Sequence, residues 1–531
     1  MIRPFQSVQV ATADNGETAV VWRTRQGAIH ATVGTPGSTF AAPITLADGA
    51  SATTAPSLAM DAAGNVVVVW ETYVLGECDK YGSCQPSSLG VFAALRPAGG
   101  AFGAPVRVTQ AQRGTGAGPQ LAMNRAGDWV LAMNVGTTTV VGAGRGATPP
   151  TAFSALPMPT LHQFALDETG AATFAGVDGA QRPATVVRNP DGSFVAPQLL
   201  DEPSTAGLGV RLGVGPRGDA LAVWPAGNEL HWASRPAGGS FGAAGSLPAS
   251  PPSPVAVVAV GVDGTGRTTT VLPSSGPIAA ASPLVLLRGT TAAPFGGAVT
   301  LTEPGHALVA PPTFALGADG TAAVGWLDGE RWSTSVRLSV AFGDGSFSRS
   351  LGLGDSTRGD AGLPSLAVDG TGRVVAAWLA TANAGESQRV VVTTFHPAGS
   401  AGSSIVAQAP LEAMPTPPLP DIAIAPLGQR LRIRADRTVR PQLRCVSASP
   451  CRGQLRIDVR VAAGRSIRLG TRRFVLPAGS ARTVTVRATL AARRAARRRS
   501  LRGTMVVRTT TRGGSPVTSR VSLTIRRTAR R

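Results

Sequence analysis

The side chains in this chain with the reach for chemistry are few: five histidines, four cysteines, two tyrosines and 30 acids spread over 531 residues. His30, His162, His231, His306 and His396 form no H-x-H or H-E-x-x-H pair and stand near no cysteine, so no metal site and no cofactor motif is expected. His30 and His231 share one position of the repeat described below, which gives them a structural explanation. The cysteines fall into two C-x5-C pairs, Cys78/Cys84 and Cys445/Cys451, each in turn-like sequence. Zinc would need further Cys or His beside them; two local disulfides are the expectation instead, and these point to an oxidising compartment.

Both tyrosines lie in one segment, ETYVLGECDKYGSCQPSSL (71–89), among Glu71, Glu77, Asp79 and Lys80. A tyrosine nucleophile with a carboxylate and an arginine cluster could cleave a glycosidic bond, and only Tyr73 and Tyr81 could serve. Paired carboxylates doing the same work must lie about 5–10 Å apart, and nothing in the sequence sets two acids at that distance. No catalytic residue is therefore assigned. A long charged loop on a rigid scaffold also suits binding, so Glu71, Tyr73, Glu77, Asp79 and Tyr81 are the candidate ligand-binding residues. A disulfide-stapled decoration is the alternative. Glycine-rich strings such as residues 142–146 precede no helix and carry no phosphate-binding signal.

What positions that segment is a repeat. Gly16, Gly64, Gly127, Gly170, Gly218, Gly266, Gly320 and Gly372 each sit in a short turn, 43 to 63 residues apart. Six residues after each comes Trp22, Trp70, Met133, Gly176, Trp224, Leu272, Trp326 or Trp378. Asp61, Asn124, Asp167, Asp263 and Asp369 stand three residues before the glycine, where a short acid or amide closes a turn and glycine supplies positive φ. The D-x-D-x-D-G ladder of a calcium loop is missing. Each repeat continues through two more extended pieces joined by a Gly-rich turn, with a phenylalanine column at Phe40, Phe102, Phe153, Phe194, Phe241, Phe295 and Phe347. Four strands in about 48 residues match a propeller blade. The Trp and Phe columns then read as packing between blades. The expectation is eight blades over residues 1–410, or seven with one repeat displaced, the third being the irregular one. The insertion at 71–89 falls between second and third strands, on the rim shared with the blade-to-blade connections.

The core P-x-x-ϕAϕD-x-x-G-x-ϕϕϕ resembles NHL-type and related secreted β-propeller repeats. It is especially similar to actinobacterial repeat proteins carrying RPAGGxFGAP between such cores, as at Arg96–Pro105. The resemblance covers about residues 5–410 and implies a fold, without implying an activity. It differs from the sialidase Asp-box, where Trp follows Gly by three residues rather than six.

The proline-rich stretch 411–424 reads as a semi-rigid linker. Residues 425–531 alternate apolar and polar positions through six or seven strands, which suits a small Ig-like β-sandwich. The segment AARRAARRRS (491–500) breaks the alternation and suits a short helix. This region also resembles the C-terminal sandwich modules of the same actinobacterial proteins, down to its early cysteine pair and Arg-rich crossover. From Asp421 onward there are 28 arginines against three acids, while the remainder holds 22 basic and 27 acidic residues. A solvated face is the plain reading of arginines alternating with core positions. The functional reading is attachment to an anionic cell-envelope polymer, with Arg493, Arg494, Arg497, Arg498 and Arg499 the densest cluster. Phe474 is the only aromatic after residue 420, so a sequence-specific nucleic-acid reader is not expected.

The sequence thus predicts an all-β, non-enzymatic binding or scaffold protein, secreted or at the cell surface, taking a glycan or protein ligand at the propeller rim. A carbohydrate-active enzyme, a glycoside hydrolase or lyase using that rim, is the alternative. No apolar run is long enough to span a bilayer. MIRPFQSVQV lacks the apolar core of a signal peptide, so a fragment or a misassigned start is expected.

Overall fold

The computed structural model describes residues 5–38, 40–78, 84–109, 118–202, 209–227, 229–248, 259–273, 284–302, 311–330, 333–343, 346–356, 363–382, 387–396, 399–410, 424–427, 430–434, 436–445, 451–462, 465–477, 481–498, 500–510 and 517–526. The chain divides into two compact units between Leu411 and Glu412. Most of the expected linker, residues 411–423, lies outside the described residues.

The first unit is β-propeller-like. Each repeat folds as an antiparallel meander, and among the described residues eight such sheets follow one another. The first joins Phe5–Thr12, Thr18–Thr24, Ala28–Gly34 and Ile44–Asp48 in that order. The second runs Ser57–Met60, Val66–Cys78, Cys84–Arg96 and Val106–Arg107, with Ala52–Thr53 added against its long second strand. The third repeat forms an ordinary sheet from Gln120–Met123 to Ser154–Ala155.

The turn between first and second strands follows from its side chains. Asp263 Oδ1 accepts from the Thr265 amide (2.8 Å), the Thr265 hydroxyl (2.7 Å) and the Arg267 amide (3.0 Å). Asp61, Asp167 and Asp369 close their turns on the same amides. The eight column glycines all have φ between +80° and +98°, a region that costs an L-residue about 1–2 kcal/mol. They also lack room. A Cβ on Gly127 would fall 2.6 Å from Asp61 Oδ2, one on Gly218 2.9 Å from Asp167 Oδ2, and one on Gly320 2.8 Å from Asp263 Oδ2. Each of these turns is therefore seated on the acid of the preceding sheet's turn. Backbone bonds such as Ala62 N to Arg125 O and Gly264 N to Ala318 O tie successive turns together.

The apolar columns fill the seams. Eight buried clusters occupy this unit, and each draws on two adjacent sheets. Trp70 of the second sheet packs with Val21 and Ile29 of the first, with Phe102 against them. Trp224 and Phe241 of the fifth meet Ala175 and Val177 of the fourth. Where the fourth repeat has Gly176 in the tryptophan column, Phe174 fills the seam with the third sheet. The last of these clusters joins Val8, Val10, Val20 and Trp22 of the first sheet to Val375, Ala377, Val390 and Val392 of the eighth. The Val10 amide also donates to Ser365 Oγ at 3.0 Å across that seam.

In the second unit, a five-stranded sheet runs Arg430–Arg432, Val517–Arg526, Leu501–Thr510, Cys451–Ala462 and Arg465–Leu476. A three-stranded sheet joins Ile424–Leu427, Gln442–Cys445 and Ala481–Thr483. One core takes Leu443 and Val484 together with Leu455, Ile457, Val459, Val507 and Ile525. Along Cys451–Ala462, Leu455, Ile457 and Val459 are buried while Arg452, Arg456 and Arg460 are exposed, as period-two alternation requires. Helix α1 spans Leu490–Arg498 and buries Ala492 and Ala496, one turn apart, in the same core. Among the described residues no helix is long and apolar enough to cross a membrane.

The interlocked turns give a graded expectation. Gly320 has φ +88° and a neighbouring carboxylate in its Cβ position, whereas Gly238 has φ +68° and nothing within 4 Å. Gly238→Ala is expected to cost about 1 kcal/mol, the backbone term alone. Gly320→Ala adds the displacement of Asp263 and should cost about 2–4 kcal/mol. Equilibrium denaturation of the two variants measures the difference, and equal losses would refute the interlock.

Candidate functional site

A meander sends its first and third turns to one end and its second turn to the other, so the first unit has two chemically different ends. The aspartate-closed turns gather at one. Their acids are largely committed. Asp61, Asp167, Asp263 and Asp369 are buried and turn-capping. Glu17 pairs with Arg96 of the next sheet at 2.7 Å. Asp263 illustrates the electrostatics: burial works against its ionisation, but the Thr265 hydroxyl and amide and Arg267 hold its carboxyl below the ordinary range. Arg125 of the third sheet reaches Asp14 of the first (Nη1 to Oδ1, 2.8 Å), and Asp14 also accepts from the Gly370 amide of the eighth at 2.8 Å. Three sheets are tied at this end by one guanidinium and one carboxylate.

In seven of the eight repeats the inner strand carries a polar side chain four residues before the turn's acid position, at Gln9, Ser57, Gln120, Gln163, Arg211, Thr313 and Ser365, with Ala259 the exception. An inner strand has a free edge, and these side chains satisfy it across the seam. Ser57 donates to Pro119 O (2.8 Å), Thr313 donates to Pro364 O (2.7 Å), and Gln163 Oε1 accepts from the Leu212 amide (3.2 Å). His162, beside Gln163, accepts from the Val210 amide at Nδ1 (3.0 Å). Burial, helped by the charge of Arg211, pushes its pKa below 6.5. A protonated Nδ1 would meet another donor there.

The opposite end holds the insertion. Its strands Val66–Cys78 and Cys84–Arg96 are 13 residues each, against six to nine for the second strands of the other sheets. The segment is thus a two-stranded extension, and the register sets Cys78 opposite Cys84. Its base is braced by Ala52–Thr53, which pairs with Thr72 and Tyr73. Thr53 in turn donates to Gly27 O at 2.7 Å and accepts from Arg23 at 3.2 Å. Glu71 is buried, its backbone bonded to Thr54, and belongs to the hairpin base; Tyr73 is half-buried just beyond it. Glu77 lies on the second strand. Its side chain, Asp79, Tyr81 and the four cysteine side chains lie outside the described residues.

At the same end, where the fourth sheet connects to the fifth, His231 Nδ1 lies 2.5 Å from Asp201 Oδ2 and His231 Nε2 lies 3.6 Å from Glu229. Trp224 Nε1 donates to Asp201 at 3.3 Å. Burial opposes the charge on Asp201, yet the bonds from His231, the Glu202 amide and Trp224 hold its pKa low. The equivalent His30 stacks on Trp22 and, among the described residues, bonds Thr45. Repeat position explains the shared ring contact, and the carboxylate partner is particular to His231.

In the second unit Arg493 and Arg494 lie on α1, half-buried and exposed respectively. Arg497 and Arg498 end the helix with side chains outside the described residues, as is Arg499 entirely. Among the described residues no group of three His, Cys, Asp or Glu is placed to hold a metal ion.

Sequence reasoning missed the inner polar column, the Asp201 partner of His231 and a cleft between the third and fourth sheets. The column's spacing was a usable signal; the other two depend on which sheet faces which.

No family model matches the chain, and no curated protein matches it. Solved structures similar to it include a prolyl endopeptidase at 11% identity and TM-score 0.43, over 74% of this chain and 55% of that one. The chain therefore spans about half the length of that peptidase. NanB sialidase from Streptococcus pneumoniae is similar at 10% identity and TM-score 0.34, over 61% of this chain and 65% of that one. The polysaccharide lyase Uly1 is similar at 8% identity and TM-score 0.38, over 61% and 86%.

His162 sets a pH expectation. Its folded pKa lies below its unfolded value near 6.5, so its contribution is fully present above pH 6.5 and is lost as pH falls through the lower, folded value. His162→Gln keeps an acceptor without titrating. Melting temperature measured from pH 7 to 5 should fall less steeply in this variant; parallel curves would refute the assignment.

Proposed function

We propose that the first unit is a closed eight-bladed β-propeller, residues 1–410, acting as an extracellular binding scaffold rather than an enzyme. The single observation behind this is the second hairpin. Its strands, 13 residues each, are the longest second and third strands among the described residues of the unit, and it brackets both tyrosines and the acids Glu77 and Asp79. A hairpin whose two strands stay paired beyond a packed blade, with register shifts after Thr72 and Leu75, is a preformed arm, so ordering it on binding costs little. Tyr73 and Tyr81 would supply stacking area for a sugar ring or a partner's side chain, and the acids its polar contacts. A disulfide between Cys78 and Cys84 would lock the tip, and Cys445–Cys451 would do the same in the second unit; both suit a secreted or surface protein. The seven-bladed alternative has less support, since eight sheets share eight buried seams.

The second unit, an Ig-like sandwich in this reading, serves as an attachment module for anionic envelope polymer. Arg452, Arg456, Arg460, Arg472 and Arg473 on its strands are exposed, and Asp436 and Asp458 are already paired with Arg440 and Arg456. The excess positive charge is left for an outside partner.

The enzyme alternative has one observation in its favour. Asp201, His231 and Glu229 stand at the hairpin's end of the blades with a carboxylate near each nitrogen of one imidazole. A general acid or base could be built from such a group.

Replacing residues 75–86 of the full chain by Asn-Gly, which joins the paired Val74 and Ser87, tests the main reading. On a glycan array with acidic exopolysaccharides included, wild type should bind a subset that the variant loses at least tenfold, with its melting temperature unchanged. Product release from a polysaccharide, abolished in His231→Asn but not in the hairpin variant, would replace scaffold by enzyme. The second unit has its own test. Changing Arg493, Arg494, Arg497, Arg498 and Arg499 to Ser should lower the salt needed to elute from heparin and flatten the salt dependence of binding, without selectivity among anions. Unchanged elution would remove the attachment role.

A further inference from the structure

The geometry points to a binding site for a monoanionic sugar acid in the cleft between the third and fourth blades, held by Arg188 and Arg145. This site lies at the aspartate-turn end of the blades, away from the hairpin, and does not depend on the reading of the hairpin.

The argument begins with a repeat position. Arg96, Arg188 and Arg235 end the third strands of their sheets and pair in register with Val66, Ala172 and Ala220, each two residues past a column glycine. In two of the three sheets the arginine plugs the seam. Arg96 donates to Gly64 O (3.1 Å) and to Glu17 of the preceding sheet (2.7 Å). Arg235 donates to Gly218 O (2.9 Å) and to Thr173 of the preceding sheet (2.9 Å). Both are buried. Arg188 does neither. Its hydrogen bond among the described residues is a 3.4 Å contact with Asn189 O, its own neighbour. The residue matching Glu17 on the facing sheet is Asp128, which takes a loose 3.5 Å contact from Arg145 instead.

Where the plug would sit there is a cleft of about 400 Å³, lined by Asp128, Arg145, Thr148, Thr169, Arg188 and Pro190 among others. That volume falls in the range of small-ligand sites. Burial lowers the pKa of the Arg188 guanidinium, with Asp191 opposing, so its charge is partly desolvated without a full partner. A planar oxyanion placed against it gains a bidentate, charge-assisted pair. Among the residues lining the cleft two guanidinium groups stand against one carboxylate, with Asp191 beside Arg188 outside the lining; the small positive charge left at the cleft wall fits a monoanion better than a phosphate dianion. Asp128 and Thr169 Oγ1, whose proton goes to Asp167 (2.6 Å), offer acceptors, the Thr148 hydroxyl offers a donor, and Pro190 an apolar wall for a ring. A carboxylate on a hydroxylated ring, a uronic acid, meets all four requirements.

The experiment uses the full chain, so that the arginine-rich second unit is the same in every sample. Calorimetric titration with D-glucuronate and D-galacturonate should give saturable binding of one equivalent for at least one of them, with D-glucose not binding. Arg188→Gln should weaken it at least tenfold, and Arg145→Gln, a change at an exposed side chain, about threefold, with both variants melting as wild type does. Absence of saturable uronate binding, or Arg188→Gln binding as wild type does, overturns the site. Glucose binding equally overturns the oxyanion contact. Sulfate binding as tightly as uronate leaves an unspecific anion site and overturns the ligand class.

Discussion

Everything in the larger unit depends on how a four-stranded sheet buries two apolar faces. One sheet cannot, and the solution here is to place each sheet's tryptophan or its substitute against the sheet before it. The spacing of the sheets is then set at the turns. A glycine with no side chain sits where the preceding turn presents its carboxylate, so the acid that closes one turn also gauges the distance to the next. Charge and packing are joined in this one contact. An apolar seam alone would let neighbouring sheets slide, and the carboxylate against the glycine fixes where they stop.

The repeat itself was legible because its physical demands fall on single residue types. Positive φ without space demands glycine, a turn cap demands Asp or Asn, and a seam demands an aromatic. The polar column of the inner strands was legible in its spacing but not in its residue types. Its task, bonding a neighbour's edge backbone, is met equally by Ser57, Gln163 and Thr313, and no residue type marks it. Position alone does not determine use either. Arg96, Arg188 and Arg235 match in sequence and register, and only the facing residues decide which of them plugs its seam. The insertion was located correctly as a segment between second and third strands, but its residues were read as one surface. Glu71 is in fact buried at the base, because the second strand continues unbroken through it.

The smaller unit shows how composition and fold can be independent. Its core is ordinary, with Leu, Ile and Val alternating inward, and its arginines occupy the outward half of the same strands. Among its described side chains helix α1 buries only Ala492 and Ala496, and four of its remaining seven positions are arginine. Such a unit can gain or lose positive charge with little effect on its packing, and its affinity for polyanions can drift separately from its stability.

The seam between the first and eighth sheets differs from the other seven in one respect. Each sheet is built from one continuous stretch of chain, so no strand is exchanged and no connector crosses this junction. During synthesis the face of the first sheet carrying Val8, Val10 and Trp22 has no partner until roughly 360 more residues have been made. At about 5–20 residues per second that is on the order of 20–70 s. For that interval an apolar face stands open on a growing chain, and the cell must shield it or accept the risk that two nascent chains close on each other.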